Sequence, residues 1–288
     1  MNALERLVAE ELSTPVDRRV ADLAGAIAAK HGGASRAVLF YGSCLRQKQL
    51  DGLMLDFYLI VSDYRPAYGK RWLAVANRLV PPNVFYFEHH GLRAKYAVLS
   101  EADFHRLNGP ETASVSVWAR FAQPSRLVWA ADAKARHAAI AAIARAAPAL
   151  LAAARPVVGD PADPLDLWRQ AFALTYSAEL RAERPGRAQS VVDLDADRYR
   201  RFSAPALRLA AGMASGPVWR SRRWQGKALS VLRLAKASAT FAGGADYIAW
   251  KINRHAGTDI RLKPWQRRWP LLAAISLLPR LLKSGAVR

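Results

Sequence analysis

The stretch that most constrains this chain is Tyr41 to Val61, in which a strand-like run ends at Gly42-Ser43 and a second run, Leu53 to Val61, carries one acid, Asp56. Ala37 to Tyr41 is short and apolar, and the polar loop Arg46 to Asp51 separates it from the second run, so the pattern predicts two strands joined by a turn. A carboxylate inside an otherwise apolar strand is costly to bury unless a cation compensates it. A strand that ends in Gly-Ser and leads to a strand carboxylate suits a triphosphate site. Gly42 lets the backbone come close, the Ser43 hydroxyl and neighbouring amides can bind phosphate oxygens, and Asp56 can hold Mg²⁺. On these residues alone, Gly-Ser is equally an ordinary turn.

Sites of this kind usually place two acids two residues apart, so that both side chains leave the strand on one face. Here the same-face neighbours of Asp56 are Met54 and Tyr58. Asp51 in the loop and Glu88 at the end of a later strand are the acids expected to complete the metal shell, with solvated surface charge as the equal alternative. Lys95 opens another strand, where its ammonium can neutralise phosphate charge. Arg120 and Arg181 can grip phosphate with forked guanidinium groups.

The rest of the chain reads as α+β. Apolar residues at helical spacing over 3–30, interrupted at Ser13 to Pro15, predict two helices. A helix over 70–79, strands over 83–88 and 94–99, and an alanine-rich helical stretch over 101–155 follow. Pro156 to Pro164 reads as a linker. The expected organisation is a nucleotidyltransferase-like mixed sheet with helices over 1–155 and a helix-rich domain over 156–255, with a winged helix as one option. A basic amphipathic segment, 256–288, closes the chain.

Charge narrows the partners. Of 288 residues, 43 are Lys or Arg and 23 are Asp or Glu, and residues 220–288 hold fifteen of the cations against only Asp246 and Asp259. Such an excess seeks an anionic partner. The final segment, RLKPWQRRWPLLAAISLLPRLLKSGAVR, alternates Trp, Leu and Ile with cations, as expected of a helix lying in a lipid headgroup layer. Arg222 and Arg223, together with Arg261, Lys263, Arg267 and Arg268 of that segment, are the expected lipid-facing cations, with a solvated basic face as the alternative. The nearly apolar run Trp269 to Leu282 is too short to cross a bilayer, so no transmembrane helix is expected. The lone cysteine, Cys44, excludes a disulfide framework and a cysteine-built zinc site, and implies a reducing compartment.

Several segments, in order, resemble the peripheral, matrix-side mitochondrial CDP-diacylglycerol synthases, also called the mitochondrial translocator assembly and maintenance family, and their bacterial relatives. They are Tyr41-Gly42-Ser43, Met54-Leu55-Asp56-Phe57, Lys95-Tyr96-Ala97-Val98-Leu99-Ser100, Ala119-Arg120-Phe121-Ala122-Gln123-Pro124, Glu179-Leu180-Arg181 and Phe241 to Arg254. The similarity runs from about residue 38 to residue 255. The chain departs from the family where a Trp-His pair would follow the Asp strand, and where Gln123-Pro124 replaces Lys-Pro.

The resemblance implies a phosphatidate cytidylyltransferase, with Mg²⁺ as cofactor, CTP and phosphatidate as partners, and Asp56 and Lys95 as catalytic residues. It implies nucleotide contacts from Tyr41, Gly42, Ser43 and Arg120, and lipid or phosphate contacts from Arg181, Lys251 and Arg254, to which the basic closing segment adds Arg267 and Arg268. The metal set is Asp56 with Asp51 and Glu88. The expected location is cytoplasmic, peripheral on the inner membrane, and nucleic acid is not the expected partner. The alternatives are a nucleotidyltransferase acting on RNA or protein, and a non-catalytic nucleotide- or lipid-binding relative.

Overall fold

A computed structural model describes residues 1–46, 49–179, 187–213, 216–240, 261 and 263–268. Five strands, β1 (Ser35–Tyr41), β2 (Met54–Val61), β3 (Asn83–His89), β4 (Leu92–Ser100) and β5 (Ser125–Ala130), form one mixed sheet in the order β3-β4-β2-β1-β5. All pairs are antiparallel except β2 with β4, which run parallel. A parallel pair needs a crossover, and here α3 (Tyr64–Ala67), α4 (Arg71–Leu79) and β3 supply it.

Side chains alternate between the two sheet faces, and each face has its own core. On one face Val38, Phe40, Leu55, Phe57 and Leu59 pack against α2 (Arg18–Ala29), which inserts Val20, Leu23 and Ile27. On the other, Leu39, Tyr58, Ile60 and Leu99 pack under α1 (Ala3–Leu12), α5 (Glu101–Leu107), α6 (Trp118–Phe121), α7 (Ala133–Ala144) and α8 (Ala146–Val158). The helix starts follow local chemistry. Asn2 and Glu5 form a reciprocal capping box on α1, and Asp163 caps α9 (Pro164–Ala178), whose first residue is proline.

The α+β expectation holds, with one addition. β5 lies inside the stretch expected to be wholly helical, because Ser-Arg-Leu-Val-Trp-Ala supplies β-branched and aromatic residues that pair along the open edge of β1. The turn after α8 falls within the expected linker, with Gly159 at φ 76°. The helices on either side of it nevertheless share one apolar core running from Leu4 to Trp219. Beyond it lie α9, α10 (Arg187–Asp193), α11 (Ala196–Ala211), α12 (Trp219–Thr240) and the short α13 (Pro264–Arg268). No strand occurs among the described residues after β5, so the described part holds no wing.

Two contacts tie the later helices to the earlier part. Trp168 of α9 is fully buried, stacks near Phe172 and Tyr199, and donates from Nε1 to Ser203 Oγ at 2.9 Å. Arg198 of α11 pairs with Glu11 of α1 and also donates to the Ala122 carbonyl at 2.9 Å. Ala133–Val158 is long and apolar enough to span a membrane, but 78% of its most apolar window is buried within the fold. That burial accounts for its composition as core packing.

Candidate active site

The register across the sheet sets Tyr41 of β1 opposite Asp56 of β2, Asp56 opposite Lys95 of β4, and Lys95 opposite Tyr86 of β3. Paired residues leave a sheet on the same face, so these four side chains form a row across it. Lys95 Nζ lies 3.0 Å from Asp56 Oδ1, and both groups are only partly exposed. Oδ1 is nevertheless buried and accepts no hydrogen bond among the described residues. The contact is therefore a charge contact without hydrogen-bond alignment, and the carboxylate keeps acceptor capacity for another cation or donor.

Gly42 follows β1 at φ 93°, in the left-handed region that favours glycine. A Cβ placed there would stand 3.2 Å from Asp56 Oδ2, so the absence of a side chain keeps the carboxylate open. Ser43 is exposed at the start of the 3₁₀ turn Ser43–Arg46. Cys44 behind it is buried, with Sγ 3.6 Å from the Met54 carbonyl, and burial raises its thiol pKa above the ordinary value.

Arg120, on α6, closes the row from the helical layer. Its guanidinium sits 4.8 Å over the Tyr41 ring, and its buried Nε has no hydrogen-bond partner among the described residues. Burial works against its charge, but the Tyr41 ring beneath it and the Asp56 and Glu179 carboxylates outweigh that and hold its pKa above the ordinary arginine value. Burial, with Asp56 adding to it, raises the Tyr41 hydroxyl well above the usual phenol value and keeps it neutral.

Arg233 of α12 is the residue that sequence reasoning did not find. It lies 3.9 Å from Glu179, donates to Ser116 Oγ at 2.9 Å and to the Pro81 carbonyl at 2.8 Å, and is pushed down by burial and by nearby Arg120. Its signal was a period: positions 222, 226, 229, 233 and 236 fall on one helical face. The described cluster therefore sets Lys95, Arg120 and Arg233 against Asp56 and Glu179.

The other expected metal acids are not brought to Asp56. Asp51 is exposed and pairs with Arg19 at 3.1 Å. Glu88 is exposed on the edge strand, opposite Arg93, and accepts from the Tyr86 hydroxyl at 2.6 Å. Among the described residues no three His, Cys, Asp or Glu side chains gather as a metal site. The physical reason is topological: Asp51 precedes β2 on its loop, and β4 intervenes between β2 and β3.

Arg222, expected to face lipid, is instead fully buried. It donates to the carbonyls of Thr112 at 2.6 Å and Pro217 at 2.9 Å, and burial pushes it down to about 10. Arg181, Lys251 and Arg254 lie outside the described residues, as do the side chains of Arg267 and Arg268 and all of 269–288.

A separate cavity of about 260 Å³ opens beside β3, lined by Lys30, His31, Tyr68, Phe85, Tyr86 and Tyr96. His31 contacts the Ala67 carbonyl through Nδ1 at 2.9 Å and the Tyr96 hydroxyl through Nε2 at 3.2 Å, which fits a neutral ring protonated at Nδ1. Burial lowers its pKa below 6.5. The unfolded chain therefore takes up this proton first as pH falls, and stability drops from about pH 6.5 downward until the folded ring also titrates. Urea midpoints from pH 7.5 to 5.5 should show this loss, and His31→Gln should lessen it.

No protein-family profile matches the chain, and no curated protein matches it. Among solved structures, a nucleotidyltransferase-like protein from Exiguobacterium sibiricum 255-15 aligns with 92% of this chain and 92% of its own. The identity is 12% and the TM-score 0.29.

Proposed function

We propose that the chain is a nucleotidyltransferase, specifically a phosphatidate cytidylyltransferase that works at the cytoplasmic face of a membrane. The observation that carries the reading is the Asp56 carboxylate, with a buried oxygen that accepts no hydrogen bond among the described residues, held beside Lys95 and left uncovered by Gly42. A charged oxygen kept in that state is expensive, and sites that handle charged ligands are where such expense persists.

The donor set fits Mg²⁺ in one form. Mg²⁺ is commonly held by one or two carboxylates, with substrate phosphates and water completing its shell, and Asp56 would be the protein ligand. When bound, the ion supplies charge neutralisation on the triphosphate. The chain's own residues do the rest. The Gly42-Ser43 turn cradles phosphate oxygens, Lys95 and Arg120 neutralise charge where it builds, and the phosphate oxygen of phosphatidate is held in line with the α-phosphorus of CTP. The new bond joins that oxygen to the α-phosphorus, the α–β bridge bond breaks, and pyrophosphate leaves with the electron pair. A phosphate monoester is already largely ionised at neutral pH, so the acceptor needs no base.

Incubating the purified chain with CTP, Mg²⁺ and phosphatidate vesicles should release pyrophosphate and yield CDP-diacylglycerol. Release with an RNA acceptor but not with phosphatidate would overturn the lipid reading, and CTP binding without release to any acceptor would overturn the catalytic one.

A further inference from the structure

Two helices carry apolar side chains on the wrong side for a water-soluble fold. On α12 the face toward the protein is cationic: Arg222 is buried among carbonyls, Arg233 bonds Pro81 and Ser116, and Lys236 Nζ donates to the carbonyls of Val80 and, at 2.8 Å, Pro82. The opposite face carries Trp224, Val231 and Leu232, and Trp224 is 78% exposed. The orientation is fixed by packing, because a Cβ at Gly226 would come within 2.2 Å of the Ala178 carbonyl oxygen of α9, so α12 cannot roll its apolar side inward.

The crossover helix α4 repeats the pattern. Trp72, Val75 and Leu79 follow one another at spacings of three and four, which places them on one stripe. They are 48%, 57% and 73% exposed, while Leu73 and the buried Asn77 face inward. Leu79 leads directly into the 80–82 turn, whose carbonyls accept the bonds from Lys236 on the inner face of α12, so the C-terminal end of α4 and α12 are tied together there.

We infer that the outer faces of α4 and α12 together form a contact surface for an anionic lipid bilayer, separate from the C-terminal segment. Charge selects this occupant. Arg71 and Arg78 flank the α4 stripe, Arg220, Arg223 and Lys227 flank that of α12, and neither helix contains an acid. Tryptophan beside aliphatic residues and flanking cations matches the lipid headgroup boundary, where rings and stems enter the acyl edge while cations meet phosphates. The basic C-terminal segment would meet like charge here, which disfavours it as the cover. The inner face of α12 reaches Glu179 through Arg233, so the helix that would rest on lipid also borders the candidate active site.

This inference deepens the lipid-substrate reading but is tested without CTP, so the two can fail separately. Leu79→Cys, Trp224→Cys and, as a control, Asp197→Cys on α11, each with Cys44→Ser, are labelled with an environment-sensitive fluorophore. Phosphatidylcholine vesicles are then added with or without phosphatidylglycerol. Emission at 79 and 224 should shift to the blue and rise several-fold only with the anionic vesicles, and at 197, next to no apolar stripe, it should stay unchanged. In parallel, Trp72→Ser/Trp224→Ser in the native Cys44 background should lower vesicle flotation at least tenfold. Flotation at wild-type level with silent labels would overturn the inference, as would labels already shielded without vesicles in a concentration-dependent way, which would mean that a second copy covers the face.

Discussion

Asp56→Asn should lower nucleotidyl transfer by about 10²–10³-fold while leaving the thermal midpoint nearly unchanged. Among the described residues Oδ1 accepts no hydrogen bond, and its contact with Lys95 joins two partly exposed groups, which is worth little to folding, so a neutral amide of the same shape should cost the fold little. Lys95, still partly exposed, keeps access to water when its partner loses charge. Loss of activity without loss of stability marks a residue retained for function rather than for folding. Activity at wild-type level would remove Asp56 from the site, and a large stability loss would make the pair structural. Pyrophosphate release and calorimetry on the same preparation decide between these outcomes.

Trp168→Ala should cost about 3–5 kcal/mol of stability, the range for removing a large aromatic ring from a packed core. The ring is fully buried, lies 5.0 Å from Tyr199 and 6.1 Å from Phe172 between centroids, and bridges α9 to α11 through Ser203. Trp168→Phe keeps most of the packing and loses the indole donor, so it should cost only about 1–2 kcal/mol. Denaturant midpoints give both values, provided the slope is unchanged. If the alanine variant unfolded like an ordinary surface substitution, α9 and α11 would not share the core described above.

How much of this was legible in the sequence depended on whether a signal was local. The first two strands and the Gly42 turn could be read because their apolar runs and their breaker stand next to each other. The two opening helices could be read for the same reason. β5 could not, because six residues between alanine-rich helices look like more of the same until β1 offers them an edge. The meeting of Asp56 with Lys95 was equally hidden, since a parallel register over a long crossover leaves no mark in either strand. Asp51 and Glu88 illustrate the converse: nearness in sequence, or the right residue type, does not set a side chain in a shared shell. Arg222 was misassigned because composition records that a segment is basic, whereas only the helical phase records which cations face inward.

The parallel pairing of β2 with β4 also bears on how the chain acquires its site during synthesis. Asp56 and Lys95 are roughly forty residues apart, and they become neighbours only after α3, α4 and β3 have closed the intervening loop. Closing a loop of that length costs entropy before any contact repays it, so pairings of this kind form slowly. Arg120 comes later still along the chain, and Arg233 more than a hundred residues after it. A nascent chain released early would therefore hold the acid without its cations, and the charge cluster matures only when most of the protein has left the ribosome.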